Sequence, residues 1–142
     1  MEQTGERPFT LARVFDVVDP ATGPGFAADH PRVPDEAERR NLVAYLESGA
    51  RVLVTPTLLT DVVEPARGAV VPTNFLTDGT WVWTDTVTYY LEHHSLAPEP
   101  DLLAHVNAHL PTAAPVDAAT AQRAVAFVLS PSDDAAPVWR AR

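Results

Sequence analysis

Thr77-Asp78-Gly79-Thr80-Trp81-Val82-Trp83-Thr84-Asp85, followed by Thr86-Val87-Thr88-Tyr89-Tyr90-Leu91, decides the fold of this 142-residue chain. Asp78-Gly79 between apolar runs is a hairpin signal, because a type I′ turn needs positive φ at both central residues. Taking those two as the loop sets Thr77 opposite Thr80, Leu76 opposite Trp81, Phe75 opposite Val82 and Asn74 opposite Trp83. Side chains alternate along a strand. Leu76, Trp81 and Trp83 therefore share one face, and Phe75 and Val82 the other. Two of the three Trp lie on the first face, so it is expected to be buried beneath a helix. Thr84 or Asp85 can cap the helix that follows. Val87, Tyr90, Leu91 and His94 form its apolar stripe, and Pro98 and Pro100 end it.

Working outward, Pro34-Asp35-Glu36-Ala37-Glu38 opens an earlier helix with acids that suit its dipole. Its stripe is Arg39, Leu42, Val43 and Leu46, and Gly49 is expected as its left-handed stop. Arg51-Val52-Leu53-Val54-Thr55 reads as a strand that continues past Pro56 to Leu59 by a bulge. Residues 61–68 form a turn, and Ala69-Val70-Val71 begins the first arm of the hairpin, broken by Pro72. Residues 10–18 fit strand or helix, and their valines favour strand. Residues 19–34, with four Pro and two Gly, read as irregular loop. Pro98-Glu99-Pro100-Asp101 caps a helix with the stripe Leu102, Leu103, Val106 and Leu110. An Ala-rich helix spans 117–129. The expectation is one α+β domain over residues 1–129: a small antiparallel sheet of three to four strands with a central β-hairpin, and helices packed mainly on one face. Its core covers about residues 32–110. Residues 1–8 read as a loose arm and 130–142 as a flexible tail in which Trp139 is able to dock.

Composition narrows the function. There is no Cys, so disulfides and thiolate chemistry are out. Lys is absent, which removes Schiff-base chemistry. Arg, Ala, Val and Pro abound while Ile is missing, a bias that fits a GC-rich, actinobacterial genome. No run of about 18 apolar residues is present, and residues 1–8 lack a signal-peptide layout, so the expected location is cytoplasmic, without membrane contact. The net charge of −9 is concentrated in residues 52–122, where eight acids face Arg67 alone. That field repels phosphate backbones, which argues against nucleic acid, and it steers cationic partners. Asp61, Glu64, Asp85, Tyr89 and Glu92 are the candidate partner-binding residues of this region.

Catalytic signals are sparse. His105 and His109 stand at i, i+4, a spacing that lets two imidazoles grip one zinc ion. The residue after the first is Val106, so the general base of the metalloprotease motif is missing. Asp101 lies about 12 Å of helix rise from His109, too far to share one ion, so a third ligand would come from His93 or His94. Glu92 and His93 are sequence neighbours and do not face each other on a helix. His94 lies on the inner stripe, where a hydrogen bond to backbone is expected. Asp29-His30-Pro31-Arg32 is a further polar group, read as a solvated turn. No Ser stands in a nucleophile elbow, and Gly23-Pro24-Gly25 is too short for a phosphate loop.

The run Val71-Pro72-Thr73-Asn74-Phe75-Leu76 with Thr77-Asp78-Gly79-Thr80-Trp81-Val82-Trp83, then Tyr89-Tyr90-Leu91 and Leu102-Leu103-Ala104-His105-Val106, resembles a group of small actinobacterial proteins. In that group a TDG-x-W-x-W hairpin precedes an aromatic helix and a short second helix. The likeness spans about residues 32–110. Some members look like immunity or accessory proteins of toxin systems, and no catalytic residue carries over. The resemblance implies a fold module, with partner binding as the function. The expectation is therefore a non-catalytic protein-binding module, immunity-like or accessory, that recognises a basic protein partner and needs no cofactor. Two alternatives stand beside it: a small metal-dependent hydrolase using His93, His94, His105 and His109, and a structural subunit that forms a homo-oligomer through the C-terminal helix.

Overall fold

The computed structural model describes residues 9–21 and 23–129. The arm at 1–8 and the tail at 130–142, with Trp139, lie outside the described residues. In chain order the elements are β1 (Thr10–Leu11), β2 (Val17–Asp19), β3 (Gly23–Gly25), α1 (Glu36–Glu47), β4 (Ala50–Leu53), β5 (Leu59–Thr60), a 3₁₀ turn at Pro65–Arg67, β6 (Ala69–Val71), β7 (Phe75–Thr77), β8 (Trp81–Thr84), α2 (Asp85–His94), α3 (Pro100–His109) and α4 (Ala118–Leu129). The fold class is α+β. The main sheet has four strands in the order β1-β8-β7-β4. It is mixed rather than antiparallel, because β1 runs parallel to β8. Two-stranded ribbons, β2-β3 and β5-β6, stand apart from it. Residues 10–18 thus hold two short strands, and the loop at 19–34 contains half a ribbon. Leu59 pairs with Val71 in the second ribbon instead of extending β4.

The hairpin forms with a register different from the expected one. Thr77 faces Val82 and Leu76 faces Trp83, so Asp78 to Trp81 form a four-residue loop. Only Gly79 in that loop has positive φ, at 96°, which rules out type I′. The cause is the Asp78 side chain. Its Oδ1 accepts from the N–H groups of Thr80 at 3.0 Å and Trp81 at 2.9 Å, which holds the longer loop. The slip is two residues, and two is the side-chain period of a strand, so the face assignments survive. Leu76, Trp81 and Trp83 enter the large core, and Phe75 and Val82 enter a second cluster on the other face.

The helix across Trp83 is α1, which precedes the hairpin, and not α2 alone. Asp35 caps α1 by accepting from Glu38 N–H at 2.7 Å. Leu42, Tyr45 and Leu46 are its buried stripe. Trp83 is fully buried, and its indole N–H donates to Leu46 O at 3.1 Å. A Cβ on Gly49 would lie 2.7 Å from Trp83 Cζ2. The glycine therefore serves close approach. The left-handed stop expected there is not needed, because Ser48 ends α1 in right-handed geometry. Helix α2 packs beside α1, and α3 brings His105 to a ring distance of 6.3 Å from Trp81. On the opposite face α4 supplies Ala124, Phe127 and Val128 against Phe9, Phe75 and Val82. Three helices cover one face and one the other.

Candidate binding cleft

Helix α2 carries two stripes. Val87, Tyr90 and Leu91 point into the core, as the periodicity requires. Asp85, Thr88, Tyr89, Glu92 and His93 fall at i, i+3, i+4, i+7 and i+8, a second helical face. That face lines a cleft of about 490 Å³ whose other walls are Leu46, Glu47, Arg51, Pro72 and Leu76. Thr88 and Tyr89, with 5% and 7% exposure, form the floor together with Leu76. Glu47, Arg51, Glu92 and His93 are exposed at the rim.

The carboxylates differ in how they are held. Asp85 Oδ1 accepts from Asn74 N–H at 2.8 Å, and Oδ2 accepts from Asn74 Nδ2 at 2.9 Å. This clamp ties α2 to the start of β7 and takes the place of a side-chain cap, since Thr84 makes no capping bond. Both donors are neutral groups. Glu92 lies 4.0 Å from His93 Nε2. Among the described residues, two buried hydroxyls, Thr84 Oγ1 and Thr88 Oγ1, have no hydrogen-bond partner. A helical Thr ordinarily turns its hydroxyl to the carbonyl one turn back, so the state of Thr88 in the cleft floor is unusual.

Behind the floor lies a buried ionic centre. Asp61 is fully buried. Its Oδ2 accepts from Tyr89 Oη at 2.7 Å and His94 Nε2 at 2.6 Å, and its Oδ1 accepts from the N–H groups of Val63 and Glu64. Arg67 Nε donates to Tyr89 Oη at 2.9 Å. Burial pushes the Asp61 carboxyl up, and these hydrogen bonds outweigh it, so it ends below the ordinary range. Burial raises Tyr89, and the bond to Asp61 adds to the rise. Burial lifts Tyr90 to about 12; its hydroxyl accepts from Val62 N–H.

The same device recurs twice. Asp78 Oδ2 accepts from Tyr45 Oη and from His105 Nε2, each at 2.6 Å. Burial opposes ionisation of Asp78, and its four donors overcome it, lowering the carboxyl. Burial and the Asp78 charge raise Tyr45. Asp16 Oδ2 pairs with His30 Nδ1 at 2.7 Å, and His30 Nε2 reaches Ala97 O at 2.8 Å. The turn at Asp29-His30-Pro31-Arg32 is thereby an anchored one: Arg32 Nη1 donates to His94 O. Each pair bolts a helix or loop to a distant segment. The aspartates hold the histidines; the expected backbone partner of His94 is a carboxylate instead.

The cleft brings together Asp85, Tyr89, Glu92 and His93 from the expected set and adds Thr88, Glu47 and Arg51, which stand outside that set. Asp61 stands inside the molecule, behind Tyr89, and Glu64 lies exposed on the adjoining turn, giving its N–H to Asp61. His94 and His105 bond to different carboxylates, and His109 stacks on His105 at 4.3 Å. Among the described residues no three His, Asp or Glu side chains converge as metal ligands. The four-histidine metal centre does not fit this arrangement. Thr88 was legible in principle, from the i+3 spacing after Asp85; Glu47 and Arg51 come from other elements and carry no local signal.

No helix among the described residues is long and apolar enough to cross a membrane. Compared with known proteins, the chain matches no family model, no curated protein and no solved structure.

Proposed function

We propose that the chain is a non-catalytic protein-binding module, immunity-like or accessory in role, that recognises a basic partner through the cleft between α1 and α2. A cytoplasmic setting belongs to the same proposal. The observation that carries it is the lining itself: Glu47, Asp85 and Glu92 surround one concavity that holds, among the described residues, a single fixed cation, Arg51. A concave site with low-dielectric walls focuses such a field. The histidines with catalytic potential serve the interior: His30, His94 and His105 bond to aspartates, and no Ser or Thr hydroxyl bonds to any of them among the described residues. Support also comes from the net charge of −9.

The test is affinity capture from the cells of origin with the wild-type chain and with Glu47→Gln/Glu92→Gln. The expected result is a basic protein retained at low salt, released at high salt and not retained by the double variant. Equal recovery on both chains would remove the cleft from the reading. Recovery of no basic protein at low salt would remove the reading itself.

A further inference from the structure

We infer that His105 and His109, one turn apart on α3, hold one divalent cation of the zinc, copper or nickel class, with His105 Nδ1 as the fixed donor and the His109 imidazole as the second. Neither residue lines the cleft, so the inference stands apart from the partner reading.

Hydrogen bonds decide which nitrogen of each ring is available. His105 Nε2 lies 2.6 Å from Asp78 Oδ2. A carboxylate accepts, so the ring proton sits on Nε2 and Nδ1 keeps its lone pair. His109 Nδ1 lies 2.7 Å from His105 O. A carbonyl only accepts, so His109 keeps its lone pair on Nε2. Among the described residues neither of these two nitrogens makes a hydrogen bond. His105 Nδ1 reaches solvent, because the buried unpartnered side-chain nitrogens and oxygens among the described residues are the hydroxyls of Thr84 and Thr88. The His105 side chain as a whole keeps 16% exposure, and His109 is exposed.

Residues at i and i+4 share a helix face, with Cβ atoms about 5–6 Å apart. The two rings lie 4.3 Å apart, centre to centre, and 33° from parallel. An ion held at about 2.0–2.1 Å by each ring needs its two nitrogens roughly 3–3.5 Å apart in tetrahedral geometry. The exposed His109 ring comes to that position by turning about its Cβ–Cγ bond, which gives up one exposed hydrogen bond. His105 stays where Asp78 holds it. A carboxylate on the far nitrogen is what orients a metal-bound imidazole and raises its basicity. Two imidazoles with no carboxylate at the ion suit zinc, copper or nickel; calcium and magnesium require oxygen. The remaining coordination positions fall to water.

The test titrates the ¹⁵N-labelled chain with zinc chloride and follows the imidazole nitrogens in long-range ¹H–¹⁵N spectra. Before zinc, His105 is expected to carry its proton on Nε2 and His109 on Nδ1. One equivalent of zinc is expected to move His105 Nδ1 and one nitrogen of His109, leaving His30, His93 and His94 in place; magnesium is expected to move none. His109→Ala changes an exposed side chain and leaves the Asp78–His105 bond intact. It is expected to weaken zinc roughly tenfold or more, the loss of a second donor tethered to the first, whereas His93→Ala leaves the affinity unchanged. A His105 ring that stays unmoved at zinc saturation, a His105 proton found on Nδ1 before zinc, or equal affinity in His109→Ala and the wild type would each overturn the inference.

Discussion

Gly49 is set by what lies above it. The Trp83 indole covers the site a Cβ would occupy, with Cζ2 at 2.7 Å and Thr77 O at 3.1 Å. Neither neighbour can yield, since one is a fully buried ring and the other is strand backbone. Gly49→Ala is expected to cost about 1–3 kcal/mol through overpacking, read as a fall in the urea midpoint. An unchanged midpoint would show that Trp83 has room to shift. Asp61 is the second residue on which much depends. An amide there keeps one acceptor and turns N–H groups towards donors, so Asp61→Asn is expected to cost about 2–3 kcal/mol at neutral pH. The pH dependence has a definite sign. Asp61 and Asp78 ionise more readily folded than unfolded, so the unfolded chain binds more protons and stability rises with pH. Their contribution is complete above the unfolded value of 3.8 and is lost as pH falls from there through the lower folded values. Urea midpoints measured across that acid range should drop in the wild type and drop less steeply in Asp61→Asn. Parallel curves would mean that Asp61 titrates alike in both states.

At the scale of elements, α2 works as a two-sided helix, with one stripe in the core and one in the cleft. Its end is a Schellman turn: Leu96 N–H bonds to Tyr90 O and Ser95 N–H to Leu91 O, both at 3.1 Å. The turn places Ser95 at φ 62°, a region where a side chain is strained. Ser95→Gly relieves that strain and loosens the unfolded chain, so the net expectation is a gain of about 0.5 kcal/mol. A lower melting temperature would refute it. The core stripe of α2 was legible because Val87, Tyr90 and Leu91 recur with helical period. The cleft itself was not: Asp85, Tyr89 and Glu92 stand among the expected residues, but no local pattern shows that they line one concavity until α1 and β4 are placed opposite. The hairpin shows a similar division. Its faces follow from a period of two, whereas its loop length depended on Asp78 reaching two backbone N–H groups. That same carboxylate also binds Tyr45 and His105, 33 and 27 residues away. No local pattern marks such a partner, and the parallel pairing of β1 with β8 is equally non-local.

Across the whole molecule, one sheet separates two unequal apolar clusters. The larger holds Leu76, Trp81 and Trp83 beneath α1, α2 and α3, and the smaller holds Phe9, Phe75 and Val82 beneath α4. The three Asp–His pairs stand on the side of the larger cluster, where they tie α2, α3 and the loop at Asp16–His30 to segments far away in the chain. The smaller cluster has no such tie among the described residues and depends on α4 alone for its cover. A chain ending at Pro111 would leave Phe75 and Val82, now 7% and 0% exposed, open to water. Re-exposing two such side chains removes about 3–6 kcal/mol, an upper figure because the unfolded chain also hides part of them. The shortened chain is therefore expected to unfold at lower urea and to bind a hydrophobic dye. The near-ultraviolet signal of Trp81 and Trp83 should persist, since both lie on the other face, while any share from Trp139 leaves with the deleted segment. Loss of that signal would show that both faces form as one cooperative unit. An unchanged urea midpoint would show that α4 adds nothing to the fold, contrary to its contacts with Phe9 and Phe75.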